Sequence, residues 1–245
     1  GTMLGILHVC EARDEADLSS LLNEVKSVQD PNERQLAYEV ATKTPKRYDA
    51  NGNRTIILVD CGVKASTIHN LIARGVNVVM VPPVTTAKDV LDLKPDGILF
   101  SNGPGDPKVY GEVITTAKKV VDAGIPVMGI CLGSQILALA LGGTTYKLKF
   151  GHRGQNHPCI EVKGKRCYIT SQNHGYAIDA ESLVGTGLEV ILLNANDRTV
   201  EGIRHTSLPV FGTQFHPETS PGPNDTNFLF DTFVAQVRKG GVNHA

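Results

Sequence analysis

From Arg54 onward, short and wholly apolar runs alternate with segments whose apolar residues recur every three or four positions. Thr55-Ile-Ile-Leu-Val59 is the first such run, and residues 64–74 form the first helical segment, closed by Gly75. Residues 76–81, 97–101 and 125–130 read as further strands, with a helix over 112–123. Strands that lack polar alternation are buried on both faces, which requires a mostly parallel sheet covered by helices above and below. The pattern therefore predicts a doubly wound α/β fold over residues 54–245. After about Thr144 shorter strands are expected, including 167–170 and 190–193, and 228–237 reads as a closing helix capped by Gly240-Gly241. Residues 1–53 differ in texture. They open on a strand-like Met3-Leu-Gly-Ile-Leu-His-Val9, continue through an acidic helical stretch over 14–25, and run as loop to the turn-rich Asp49-Ala-Asn-Gly-Asn53.

One strand carries chemistry at its end. In Ile125-Pro-Val-Met-Gly-Ile-Cys-Leu-Gly-Ser-Gln135 an apolar run delivers Cys131 between Gly129 and Gly133, and an apolar helical segment follows. With serine this spacing is the nucleophile elbow, a tight strand-to-helix turn that holds the reactive side chain clear. Flanking glycines are needed because neighbouring backbone leaves no room for a Cβ, and the helix start lends positive potential that favours thiolate. A lone cysteine is more often simply buried; the two glycines and the strand–helix context tip the reading to a nucleophile. Cys61 also ends a strand but lacks the second glycine and the apolar helix, so it reads as structural. A base is offered by Gln214-Phe-His-Pro-Glu218, where His216 and Glu218 stand two apart on an extended segment and face the same side. Glu218 can then fix the His216 tautomer and stabilise its imidazolium beside Cys131.

Gly129-Ile-Cys-Leu-Gly-Ser-Gln135 together with Phe215-His-Pro-Glu218 resembles the triad-type (class I) glutamine amidotransferases. Leu99-Phe-Ser-Asn-Gly-Pro-Gly-Asp-Pro107, Ile169-Thr-Ser-Gln-Asn-His-Gly-Tyr-Ala177 and Pro217-Glu-Thr-Ser-Pro-Gly-Pro223 are similar to the glutaminase portion of glutamine-hydrolysing carbamoyl-phosphate synthase, over nearly the whole chain. The resemblance implies catalytic Cys131, His216 and Glu218. It implies glutamine binding by Gly103, Gly105, Leu132, Gln135, Asn173, Gly175 and Tyr176, with the Leu132 amide and one from the glycine loop as oxyanion hole. Glutamine would be hydrolysed to glutamate and ammonia, and the ammonia passed to a carbamoyl-phosphate synthetase domain or large subunit. ATP and Mg belong to that partner; this chain has no glycine-rich phosphate loop with its lysine. Residues 1–53 would be the C-terminal remnant of a small N-terminal domain plus linker. Ser134 departs from the family, which commonly has histidine there. Other readings keep the triad but change the acceptor, as in anthranilate or guanylate synthesis, or make the chain a catalytically silent regulatory domain.

Composition narrows the field further. A net charge of −1 over 245 residues gives no electrostatic reason to expect nucleic acid or an anionic membrane as partner. No apolar run approaches the ~20 residues of a membrane span. Five cysteines without an even framework suit a reducing compartment, with the cytoplasm as the expected location. His152, His157 and Cys159 lie close in sequence but lack the paired spacing of a structural zinc site, so no metal is expected there. His174, near the proposed pocket, reads as a support for backbone and not as the base.

Overall fold

A computed structural model describes residues 3–10 and 17–239. Ten strands form one mixed sheet: β1 (Lys46–Tyr48), β2 (Thr55–Val59), β3 (Asn77–Val81), β4 (Gly97–Phe100), β5 (Val127–Ile130), β6 (Thr145–Glu161), β7 (Cys167–Ile178), β8 (Leu188–Asn194), β9 (Val200–His205) and β10 (Val210–Thr213). Their order is β1-β3-β2-β4-β5-β10-β9-β8-β6-β7. The stretch from β3 to β10 is parallel throughout, and β1, β9, β8, β6 and β7 extend it antiparallel on either side. The helices are α1 (Leu18–Ser27), α2 (Leu36–Val40), α3 (Ala65–Ile72), α4 (Ala87–Asp92), α5 (Gly111–Asp122), α6 (Leu132–Ala140) and α7 (Phe228–Lys239).

The apolar runs are apolar because both faces of the parallel region are covered. In β2, Ile57 and Val59 face one core, shared with Val113, Ala117, Val120 and Val121 of α5 and Ile136 and Leu137 of α6. Ile56 and Leu58 face the other core, against Ile68 and Leu71 of α3 and Phe230, Phe233, Val234 and Val237 of α7. Side chains alternate across a strand, so two helical layers consume every position. Burying a Leu, Ile or Phe side chain contributes roughly 1.5–3 kcal/mol, which makes this double layer the main stabilising element.

Several expectations need correction. Residues 3–9 form no strand and are exposed. The helix expected over 14–25 occupies Leu18–Ser27, with the Asp17 carboxylate accepting from the Ser19 and Ser20 amides as N-cap; residues 14–16 lie outside the described residues, as does the Gly240-Gly241 cap. The segment before Arg54 supplies β1 to the sheet edge and buries Ala37 and Ala41. Of the strands after residue 144, β8, β9 and β10 are short, as expected, but β6 spans 17 residues and β7 spans 12. Register shifts between Lys147/His152 and Gly154/His157 interrupt their two-residue period, and much of both strands faces solvent, so no apolar run marks them.

Candidate active site

β5 ends at Ile130 and α6 begins at Leu132, leaving Cys131 alone on the turn with φ 51° and ψ −105°. Positive φ in a non-glycine residue is strained, and the surrounding packing imposes it. A Cβ at Gly129 would lie 2.6 Å from the Gly133 carbonyl, and one at Gly133 would strike the Phe100 carbonyl oxygen. The Cys131 amide donates to Thr213 O at 2.7 Å, tying the turn to the end of the neighbouring β10. β10 pairs in parallel with β5 through Thr213 opposite Ile130, so the chain leaving β10 passes beside the cysteine. Gln214 Nε2 donates to Cys131 Sγ at 3.6 Å, and His216 follows two residues on.

His216 Nδ1–H donates to Glu218 Oε1 at 2.7 Å. Burial of the ring lowers its pKa, but hydrogen bonds that the ring donates to Cys131 and Glu218 outweigh that and push it up to about 10. His216 is therefore held as imidazolium beside the sulfur, the protonation state that stabilises a thiolate. Lys64 Nζ stands 3.5 Å from Glu218 Oε1 and donates to Thr219 O at 2.8 Å, adding positive charge behind the carboxylate. Cys61, by contrast, is fully buried, and burial pushes its thiol up to about 12, which removes it as a rival nucleophile.

Cys131 and His216 open into a cavity of about 540 Å³, within the range of small-molecule sites. Of the residues expected to bind glutamine, Gly103, Gly105, Gln135, Asn173, Gly175 and Tyr176 line it. Leu132 does not, and neither does Glu218, expected as the orienting carboxylate of the triad. The Leu132 side chain sits in the core while its backbone opens α6, where first-turn amides have no intrahelical acceptor. Glu218 lies behind His216 with only 1% of its surface exposed. Gln135 donates from Nε2 to both Tyr176 O and Gln214 Oε1 at 2.9 Å, so its carbonyl oxygen is the part left to a ligand. A Cβ at Gly103 would collide with the Cys61 carbonyl oxygen, so only glycine lets this loop approach so closely.

His174 is a support, as expected: its Nδ1–H donates to Tyr176 O at 2.8 Å, and burial pushes its pKa down to about 3, keeping it neutral. Arg153, Asn32 and Val40 line the cavity without any forewarning in the sequence. Gln214 and Lys64 carry no mark there either. Lys64 meets Glu218 from a distant part of the chain, and no local pattern announces such a contact.

A family model described as "Glutamine amidotransferase class-I" matches residues 57–236. The chain belongs to the class-I glutamine amidotransferases. Chains named carbamoyl phosphate synthase small chain are 46% identical over 239 residues in Methanopyrus kandleri and 48% over 235 in Methanocaldococcus jannaschii. The alignments cover 98% and 96% of this chain but 66% of each relative, so the chain spans just under two thirds of their length. A crystal structure of a putative GMP synthase protein from Thermoplasma acidophilum superposes with a TM-score of 0.64, at 23% identity, over 76% of this chain and 94% of that one. At that identity the likeness is one of fold, and it confirms the doubly wound arrangement expected of the family.

Proposed function

We propose that the chain hydrolyses glutamine to glutamate and ammonia through a cysteinyl thioester. The observation that carries this reading is Cys131, on its strained elbow, opening into the same cavity as the Glu218-buttressed His216. The Cys131 thiolate attacks the carboxamide carbon, and the oxyanion is received by the Leu132 amide and an amide of the Gly103–Gly105 loop. His216 gives its Nε2 proton to the departing nitrogen, ammonia leaves, and the neutral imidazole then activates water against the thioester. Asn173, Gly175, Tyr176 and the Gln135 oxygen hold the α-amino and carboxylate groups of the substrate.

The ammonia is consumed by a carbamoyl-phosphate synthetase, as a separate large subunit or a linked domain, which uses ATP and Mg and feeds pyrimidine or arginine synthesis. The 46–48% identity to chains named for carbamoyl phosphate synthase favours that acceptor over the guanylate one suggested by a 23% neighbour. The cytoplasm is the proposed location, in keeping with five free cysteines; among the described residues no helix is long and apolar enough to cross a membrane. The test is glutamate and ammonia release from glutamine by the chain, and carbamoyl phosphate formation once a synthetase, ATP and bicarbonate are added. Cys131→Ser should abolish both while leaving the thermal midpoint unchanged, because a serine hydroxyl is not ionised by an imidazolium. Undiminished ammonia release by that variant would refute the mechanism.

A further inference from the structure

Behind the cavity wall that carries residues 173–176, three strands bring a second set of side chains together. His152 of β6, His174 of β7 and Glu201 of β9 place their donor atoms within 4.8 Å of one another, all of them buried. Their outer partners dictate where the electron pairs point. Tyr176 O can only accept, so His174 carries its hydrogen on Nδ1 and presents a bare lone pair on Nε2. That lone pair faces Gln172 Oε1 at 3.2 Å and Glu201 Oε1 at 3.8 Å. Gln172 cannot relieve the contact by turning over without loss, because its amide nitrogen is engaged by Thr170 Oγ1 at 3.1 Å and Cys159 Sγ at 3.4 Å. On the other ring, His152 Nε2 is held by Asp197 Oδ2 at 2.8 Å, which leaves Nδ1 at 3.3 Å from Glu201 Oε1. Glu201 is fully buried, and its Oε2 has no hydrogen-bond partner. Apart from Asn194 Nδ2, 3.5 Å from His152 Nδ1, and the Thr199 hydroxyl, which donates to Glu201 Oε1 at 3.5 Å, the groups converging on this spot are electron-pair donors, an arrangement that is costly unless a proton or a metal cation sits among them.

We propose that His152, His174 and Glu201, with Gln172 Oε1 completing the set, bind a divalent transition metal of the zinc class. Two imidazoles and a carboxylate suit zinc better than magnesium or calcium, which prefer oxygen throughout. Each imidazole also has its outer nitrogen fixed by an acceptor, the Asp197 carboxylate for one and the Tyr176 carbonyl for the other, as metal-bound histidines do. Metal bonds of ~2.0–2.2 Å place neighbouring ligands roughly 3.3–3.5 Å apart. The 3.2 and 3.3 Å pairs are already at that spacing, and modest side-chain rotation closes the rest. Four protein donors leave no open position for water, so the metal is structural. It pins β6, β7 and β9 together at the stretch of β7 that lines the cavity. His157 and Cys159, grouped with His152 in the sequence, contribute no ligand: His157 stacks on the His152 ring at 5.1 Å, and Cys159 Sγ contacts Thr170 Oγ1.

The experiment uses the full chain carrying Cys131→Ala, which removes the cavity thiol as a competing zinc ligand. The protein is stripped with chelator, titrated with Zn²⁺ or Co²⁺ alone, and assayed by elemental analysis, cobalt visible absorption and thermal melting. One retained equivalent, a tetrahedral cobalt spectrum and a raised midpoint are expected. Glu201→Gln should abolish retention. Asp197→Asn, at a half-exposed outer partner where misfolding is not a concern, should weaken affinity by roughly 10–100-fold. No retained metal in the Cys131→Ala protein, or parent-like loading of both further variants, overturns the site and leaves a plain His152–Glu201 ion pair in its place.

Discussion

Cys131 is held at φ 51° by its surroundings, at a cost of order 1–3 kcal/mol that the packing of the elbow must supply. What that strain secures is a sulfur beside an imidazolium, and the two partners of the dyad contribute unequally. His216→Asn removes the proton carrier and should lower kcat by ~10²–10⁴-fold. Glu218→Gln keeps the geometry and removes only the charge that fixes the ring, so its loss should be smaller. Steady-state glutamate release ranks the two variants. A pH profile adds a second reading. The His216 pKa stands at about 10, raised in part by Glu218, so the imidazolium survives to high pH and is lost only as pH climbs through that value. Removing the Glu218 charge takes away part of that upward shift, and the alkaline limb of kcat/KM should move to lower pH in Glu218→Gln. An unmoved limb would mean that Glu218 does not tune the acid.

At the scale of elements, the sequence is most readable where burial is complete. β2, β3, β4 and β5 lie within a residue or two of their expected positions, because a strand covered on both faces has only apolar residues to show. The elbow is equally legible, since steric exclusion at Gly129 and Gly133 forces a fixed spacing around Cys131. β6 and β7 are not, because their bulges break the period and their open faces admit Lys147, Arg153 and Gln155. Lys64 near Glu218 and Gln214 on Cys131 are hidden for a different reason: contacts between distant segments leave no local pattern. The α7 packing gives the test for this scale. A Cβ at Gly97 would come within 2.5 Å of Val237 and 3.3 Å of Phe233. Gly97→Ala should therefore destabilise by roughly 1–3 kcal/mol through overpacking, and Phe233→Ala by about 3–5 kcal/mol through the void it leaves. Both should be visible in urea denaturation, with KM for glutamine unchanged because neither residue lines the cavity.

Over the whole molecule, the segment before Arg54 reaches the site through Asn32 and Val40, which line the cavity, and through the Tyr110 hydroxyl. Tyr110 OH accepts from the Ala37 amide at 3.1 Å and donates to Pro104 O at 2.7 Å, linking α2 to the glycine loop of the cavity. Tyr110→Phe would leave the buried Ala37 amide unpaired, costing about 1–3 kcal/mol. It should also raise KM for glutamine by loosening residues 103–105; a lower melting temperature with an unchanged KM would show that the loop holds its shape alone. The same whole-molecule view gives the Ile130–Thr213 rung a wider meaning. The nucleophile and the strand leading to its acid are set side by side by one step of a parallel ladder, and a slip of a single residue there would turn every following side chain to the opposite face. Catalytic spacing is thus a property of the sheet's buried centre, whereas Arg153, Asn173 and Tyr176 come from the long hairpin of β6 and β7 at its rim. Substitutions at the rim can then change the contacts around the cavity without altering the distance between sulfur and imidazole.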